Sequence, residues 1–146
     1  MNFFSVTTKG HCDILDITPE VGKAVSQAGV TDGLATVFVV GSTAGVTTVE
    51  YEPGLVSDLK DAFERIAPQA AGYAHDSRWG DGNGYAHVRS SLLGCSLTVP
   101  IADGELTLGT WQQIVLIDFD NRPRQRKIVV QVLGERSGGE VDSGKR

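Results

Sequence analysis

The hydrophobic residues of this chain follow two spacings, which predict strands in some stretches and helices in others. Alternation of apolar and polar residues is typical of half-buried β-strands. The continuous apolar run LATVFVV at 34–40 instead predicts a central strand that is buried on both faces. The other stretches that we predict as strands are 3–8, 13–18, 45–52, 96–101, 105–111, 112–119 and 126–133.

Apolar residues at helical spacing predict two longer helices and a short third one. The first helix follows Thr18, whose hydroxyl suits a cap, and stops at Gly29. The second ends before Pro68, which disfavours helical backbone in the residue preceding it. The predicted helices span 19–28, 54–66 and the segment YAHVRSSLLG at 85–94. Runs of strands with two or three helices predict a single compact α+β domain with mainly antiparallel, sandwich-like sheets.

The length of the chain, 146 residues, fits one domain, and we expect that domain to cover 1–135. The closing stretch 136–146, RSGGEVDSGKR, has no apolar periodicity and is predicted to be a disordered tail. The chain contains no Walker loop, no GxGxxG after a strand and no GxSxG motif. Nucleotide-binding and hydrolase folds therefore lose support.

Charge and composition limit the partners and the compartment. The 13 basic and 18 acidic residues leave a net charge of −5, which argues against nucleic acid as a partner. No apolar run is long enough to cross a membrane, and the start MNFFSVTTKG lacks the layout of a signal peptide. Cys12 and Cys95 do not form the pattern of a disulfide framework. We therefore expect a cytoplasmic protein with free thiols and no membrane partner.

The segment HDSRWGDGNGYAH at 75–87 holds two of the three histidines of the chain, His75 and His87. Their spacing is none of the compact metal-binding motifs, so a shared site requires the loop between them to fold back. In the alternative, one histidine caps a turn and the other is hydrogen-bonded in the core. Ordering a loop with three glycines and two aspartates costs entropy unless it closes on something. This cost favours a polar pocket that both histidines line.

Carboxylates and arginines supply further candidates. Glu50 and Glu52 share one face of the predicted strand 45–52, where an inward face requires a cation or an arginine and an outward face is simply solvated. Asp58 lies between apolar positions of the second helix and suits either a cap or solvent. Arg122, Arg124 and Arg126 alternate along one face, which suits phosphate binding or protects an edge strand.

Four segments of the chain resemble the YjbQ family, formerly an uncharacterised protein family. They are VFVVGSTAGVTTVEYEPGLVSDL, YAHDSRWGDGNGYAHVRSSLLG, LTVPIADGELTLGTWQQIVLIDFDNRPRQR and VVQVLGE. The most specific part is GELTLGTWQQIVLIDFD, because GTWQ is a hallmark of the family. The resemblance implies a YjbQ-like domain over 1–135, a compact α+β fold with antiparallel sheets, and assembly as a homotrimer.

The resemblance also implies which residues form the site. The loop histidine of the family corresponds to His75, its Asn-x-x-Ala-His histidine to His87 and its strand glutamate to Glu50. Many members carry a histidine where this chain has Gly41, so a three-histidine metal centre is not available here. The Thr-Trp-Gln of the family matches Thr110, Trp111 and Gln112.

Members of the family have been linked to a weak, secondary thiamine-phosphate synthase activity. That reaction joins a pyrimidine diphosphate to a thiazole phosphate and expels pyrophosphate, so the catalyst has to hold a diphosphate, usually through Mg²⁺ and arginines. The implied cofactor is a divalent metal, Mg²⁺ or Zn²⁺. Our hypothesis assigns phosphate to Arg89 and Arg124, the cation to Glu50 and Asp58, and proton transfer or metal ligation to His75 and His87.

The same polar pocket allows two other classes of function. Trp111 and Tyr73 suit stacking on a heteroaromatic ring of a substrate, although a structural tryptophan is the commoner use. A non-catalytic module would bind a metal or a small phosphorylated or anionic ligand without turnover. A structural trimer would use its polar residues only to satisfy one another.

Overall fold

The computed structural model describes residues 2–138, which form eight strands and four helices. The strands are β1 (Asn2–Thr8), β2 (Asp13–Asp16), β3 (Val30–Val40), β4 (Ala44–Val49), β5 (Ser96–Ala102), β6 (Glu105–Leu106), β7 (Gln113–Asp118) and β8 (Arg124–Arg136). The helices are α1 (Thr18–Ala28), α2 (Pro53–Ile66), α3 (Ala74–Trp79) and α4 (Gly84–Leu93).

The strands form two sheets, and every strand pair in them is antiparallel. The larger sheet has the order β1-β8-β3-β5-β6, and the smaller one has the order β2-β7-β4. β3 is the middle strand of the larger sheet, but the prediction that it is buried on both faces is wrong for the single chain. Val37 is fully buried, whereas Leu34 is 49% and Phe38 39% exposed, because the other face of this sheet carries no further layer of the chain within residues 2–138. The predicted α+β class with mainly antiparallel sheets is confirmed.

Two hydrophobic clusters place the elements in layers. One contains buried side chains of both sheets, among them Val37 of β3 and Leu116 of β7, together with Val21 of α1. The other lies on the opposite face of the smaller sheet, where Val115 of β7 packs with Tyr85 of α4 and with partly buried side chains of α2. The smaller sheet is therefore covered on both faces, and α2 and α4 form the layer on its far side.

The structure differs from the predicted elements in several places. A fourth helix, α3, occupies residues that the sequence predicts as loop; it ends at Gly80, whose left-handed φ of 74° suits glycine. The stretch 105–111 contains only the two-residue strand β6. The amide of Thr107 donates to the carbonyl of Pro100, and the amide of Gly109 donates to the side chain of Gln112.

The strand predicted over 45–52 also ends early, at Val49, which changes the placement of two carboxylates. Glu50 and Glu52 therefore do not share a strand face. The side chain of Glu52 instead accepts hydrogen bonds from the amides of Gly54 and Leu55 and caps α2.

The C-terminal strand is longer than predicted and lies inside the larger sheet. β8 pairs with β1 on one side and with β3 on the other, so it is not the edge strand that one interpretation of its arginines required. It extends to Arg136, which pairs with Val30. The rest of the predicted tail, from 139 onward, lies outside the described residues. Within 2–138 no helix is long and apolar enough to span a membrane.

Candidate functional site

The glycine-rich loop folds back between two short helices and brings its ends together. α3 ends at Gly80, and α4 begins at Gly84. Asp76 of α3 accepts a hydrogen bond from the amide of Gly84 over 2.8 Å. A Cβ at Gly84 would lie 2.7 Å from the Cβ of Tyr73, so the close approach of the two helices depends on glycine there.

The two histidines of this segment are in contact. The ring centroids of His75 and His87 lie 4.4 Å apart, with their planes at 38°. Nδ1 of His75 lies 3.2 Å from Oδ1 of Asp76 and 3.5 Å from Oδ1 of Asp81. One ligand atom from each of His75, Asp76 and Asp81 falls within 4.8 Å of the other two. We call these three residues and His87 the histidine–aspartate cluster.

The electrostatics of the cluster keep one imidazole neutral. Burial lowers the pKa of His87, and the neighbouring His75 lowers it further, while Asp81, Asp120 and Asp76 act in the opposite direction. A neutral imidazole carries a lone pair, which is the form that binds metals or accepts a proton. His87 is therefore ready for either role at neutral pH.

A buried polar network lies directly behind the cluster. Asp118 and Asp120 are fully buried at the end of β7, and Arg126 of β8 is 6% exposed. Arg126 donates to both oxygens of Asp118 over 2.8 and 2.9 Å. Asp120 accepts from Nδ2 of Asn83, the residue that precedes α4. The network thereby connects the sheets to the glycine loop.

The charge of Asp120 is stabilised by its hydrogen bonds. Burial by itself would raise the pKa of this carboxyl group. Donors from Asn83, the backbone of Asn121, Thr43 and Arg124 outweigh burial and lower the pKa from 3.8 to about 2. Asp120 is thus ionised throughout the physiological range.

Two arginines that were predicted to bind phosphate already have protein partners. Arg124 donates to Asp120 over 2.9 Å. Arg89 is 4% exposed; it pairs with Glu64 over 2.7 Å and donates to the carbonyl of Ala67. The predicted phosphate face with Arg122 and Arg124 also includes Arg126. This third arginine is paired with Asp118. The arginine pattern serves the interior of the protein because carboxylates on β7 lie opposite it.

The remaining predicted site residues lie elsewhere in the chain. Val49 pairs with Gln113 at one end of β7, and Ala44 pairs with Asp118 at the other. A strand rises about 3.3 Å per residue, so these two ends are about 17 Å apart. The cluster adjoins the Asp118 end. Glu50, Thr110, Trp111 and Gln112 adjoin the Gln113 end, so one chain does not bring them to the histidines.

The predicted site residues outside the cluster are either exposed or bonded to groups close to them in the fold. Glu50 and Asp58 are exposed, and Trp111 is 75% exposed. The side chain of Gln112 accepts from the amide of Gly109 and donates to Thr48. The hydroxyl of Tyr73 donates to the carbonyl of Pro68. A role for Trp111 or Gln112 at the histidines requires a second chain.

The glycine at position 41, where many members of the family are expected to carry a histidine, lies against a buried arginine. Gly41 has a φ of 140°, and a Cβ there would lie 2.6 Å from Nη1 of Arg126. The guanidinium group of Arg126 thus covers the position from which a side chain at 41 would project. In this chain Asp76 and Asp81, which were not predicted as ligands, supply the polar atoms beside His75.

Comparison with known proteins agrees with this class of fold, an antiparallel α+β domain. The chain belongs to the UPF0047 protein YjbQ-like family, whose model matches residues 2–135. A UPF0047 protein of Methanocaldococcus jannaschii is 36% identical over 134 residues, which cover 91% of this chain and 94% of the relative. The UPF0047 protein YugU of Bacillus subtilis is 34% identical, and the match covers 88% of this chain and 96% of YugU.

Solved structures support the same assignment. A YbjQ-like protein of unknown function from Sulfolobus solfataricus P2 superposes with a TM-score of 0.84 at 30% identity, covering 92% of this chain and 97% of its own. An uncharacterised YjbQ/UPF0047 protein from Clostridium acetobutylicum gives a TM-score of 0.83 at 36% identity, and the match covers 91% of this chain and 100% of that protein. The predicted family is confirmed.

The contact between the two imidazoles makes the pKa of His87 depend on His75. We expect His75→Ala to raise the pKa of His87, because it removes a like charge and also part of the burial. Proton NMR of the histidine C2 resonances across a pH titration measures this change. His11→Ala, in the exposed turn after β1, is the matched control and should leave the pKa of His87 unchanged. A fall, or no change, in the His75→Ala protein would show that the two rings do not interact.

Proposed function

We propose that the histidine–aspartate cluster binds a divalent cation. The observation that carries this proposal is the convergence of ligand atoms from His75, Asp76 and Asp81 within 4.8 Å. A nitrogen with two carboxylate oxygens is a donor set that Zn²⁺ accepts, and Mg²⁺ is accommodated when water completes its oxygen shell. His87, in contact with His75, offers a second imidazole.

The surroundings of the cluster support this role. Asp76 and Asp81 provide negative charge beside His75. The pKa of His87 is lowered by burial and by His75, so this ring is free of a competing proton at neutral pH. Oδ1 of the buried residue Asn83 has no hydrogen-bond partner among residues 2–138. An unpaired carbonyl oxygen of this kind is a further acceptor beside the loop.

Removing one carboxylate of the cluster tests the cation site. Asp81→Asn keeps the shape of the side chain and removes its charge, so we expect Zn²⁺ or Co²⁺ to bind about tenfold or more weakly. Isothermal titration calorimetry measures the affinity. Asp58→Asn, on the exposed surface of α2, is the matched control and should bind as the unmodified protein does. Equal affinities in all three proteins would place the cation elsewhere.

A second candidate function uses the same cation for catalysis. We propose a thiamine-phosphate synthase-like transfer, in which a pyrimidine diphosphate is joined to a thiazole phosphate. A bound divalent cation would supply the positive charge that a departing diphosphate needs, and this matters more here because Arg89 and Arg124 are already paired. His75 and His87 are placed to hold or release a proton beside it.

The free thiols Cys12 and Cys95 favour a reducing compartment such as the cytoplasm.

Turnover separates the two candidate functions. With both precursors and Mg²⁺ we expect thiamine phosphate to form, and Asp81→Asn to reduce the rate by about tenfold or more at limiting Mg²⁺, since the cation is bound more weakly. Product is measured by chromatography, and Asp58→Asn should retain full activity. Cation binding that stabilises the fold without any product would leave a non-catalytic binding module.

We further propose that the chain assembles as a homotrimer through the outer face of its larger sheet. The pairing of β1, β8 and β3 puts Phe3, Val129 and Phe38 in one cross-strand row, and Leu34 opposite Leu133 in another. Phe3, Leu34, Phe38 and Leu133 are exposed by 60%, 49%, 39% and 65%. The polar pair Thr36 and Gln131 lies between the two rows on the same face. A face that exposes several large apolar side chains around a polar pair is typical of an interface between subunits.

A charge on the apolar face should separate the subunits. We expect light scattering to report three times the mass of one chain for the unmodified protein and a smaller mass for Phe38→Glu, because burying an unpaired carboxylate at an interface is costly. Ile66→Glu, equally apolar to start with but at the end of α2, should stay trimeric. A monomeric unmodified protein would contradict the proposal.

A further inference from the structure

Asp120 accepts hydrogen bonds from donors on two sides, and one side is the glycine loop. Oδ1 of Asp120 accepts from Nδ2 of Asn83 over 3.2 Å and from the amide of Asn121 over 2.8 Å. The side chain of Asn121 in turn donates to the carbonyl of Asp81 over 2.8 Å. Asp120 thus contacts one end of the loop directly and reaches its middle through one residue.

The opposite side of Asp120 is fixed to the sheets. Oδ2 accepts from Oγ1 of Thr43 over 3.0 Å and from Nε of Arg124 over 2.9 Å. The amide of Asp120 donates to Asp118, which is itself held by Arg126. Asp120 is fully buried, and both of its carboxylate oxygens accept hydrogen bonds, so its side chain is held in one position.

The loop on the other side contains two glycines that hold it only weakly. Gly80 and Gly82 adopt left-handed φ values of 74° and 68°, which glycine reaches and leaves at low cost. Asp81 lies between them, and His87 follows both, on α4. The amide of Gly84 ties the loop to Asp76, while Asn83 and Asp81 tie it to Asp120 and Asn121. Holding the loop in advance lowers the entropic cost of binding a ligand.

We propose that Asp120 is the positioning residue of the histidine–aspartate cluster: through Asn83 and Asn121 it holds Asp81 and His87 at binding distance from His75. This inference rests on the proposed cation site for its functional meaning. Asp120 does not itself touch the cation. It acts as outer-shell partners of metal ligands do, by fixing the ligands that it orients.

The chain contains a matched control for this role. Asp118 is two residues away, equally buried, and equally paired with an arginine, yet its side chain bonds to Thr8, Arg126 and the amide of Asp120 and to no loop residue. Asp120→Asn and Asp118→Asn therefore remove the same charge from the same interior. Among residues 2–138, only the first of these two side chains has a direct hydrogen bond to a loop residue.

The test compares Co²⁺ affinity in these two variants. We expect Asp120→Asn to weaken Co²⁺ binding about 10- to 100-fold relative to Asp118→Asn, with the imidazole signature of the Co²⁺ absorption spectrum reduced. Asn121→Ala, in a half-buried position, should weaken binding in the same direction and avoids the risk that a buried charge variant fails to fold. Equal losses in the two aspartate variants, with none in Asn121→Ala, would overturn the proposal.

A second measurement keeps the inference separate from the cation site itself. In the metal-free protein, the nuclear Overhauser contact between the rings of His75 and His87 should persist in Asp118→Asn and weaken in Asp120→Asn. If the unmodified protein binds no Co²⁺ but shows this pattern, the cation proposal fails and the positioning role of Asp120 stands. An undiminished contact in Asp120→Asn would show that the loop holds itself.

Discussion

The pairing of buried charges at the end of β7 is the constraint on which the rest of the structure depends. Asp118 belongs to the smaller sheet and Arg126 to the larger one, so their bidentate contact joins the two layers. Moving such charges out of water costs several kcal/mol for each ion, and the cost is met only when the geometry is good. Two parallel hydrogen bonds from one guanidinium group to one carboxylate allow a single relative placement of their backbones. The ion pair therefore fixes how the end of β7 lies against β8.

The fold was largely predictable because its strands obey a simple periodicity. The family, the α+β class and most strands and helices followed from the residues. Two failures have local causes. α3 is a single short helix with no apolar stripe, so the spacing of apolar residues does not predict it. The stretch 105–111 alternates like a strand, but its pairing with β5 ends at Thr107, and the amide of Gly109 donates to the side chain of Gln112 instead of to a neighbouring strand.

The candidate site was predictable only in part. Glycine and histidine gathered in one segment indicated the convergence of His75 and His87, because such a loop has to close on something. Their acidic neighbours were missed, although Asp76 and Asp81 lie in the same segment. The arginines were assigned to phosphate because their partners, Asp118 and Asp120, become neighbours only when β7 and β8 are placed side by side. Alternating acids in LIDFD followed by alternating bases in RPRQR are the signal that, in retrospect, predicts such pairs.

The environment of Gly41 couples three positions of the chain energetically. Arg126 covers the space next to Gly41 and at the same time neutralises Asp118. A side chain introduced at position 41 has to displace Nη1 of Arg126 and adopt a φ that L residues rarely reach. A shift of that guanidinium group disturbs its pairing with Asp118, which is fully buried. Substitutions at 41, 118 and 126 therefore change stability non-additively, so the effect of each one depends on the residues at the other two.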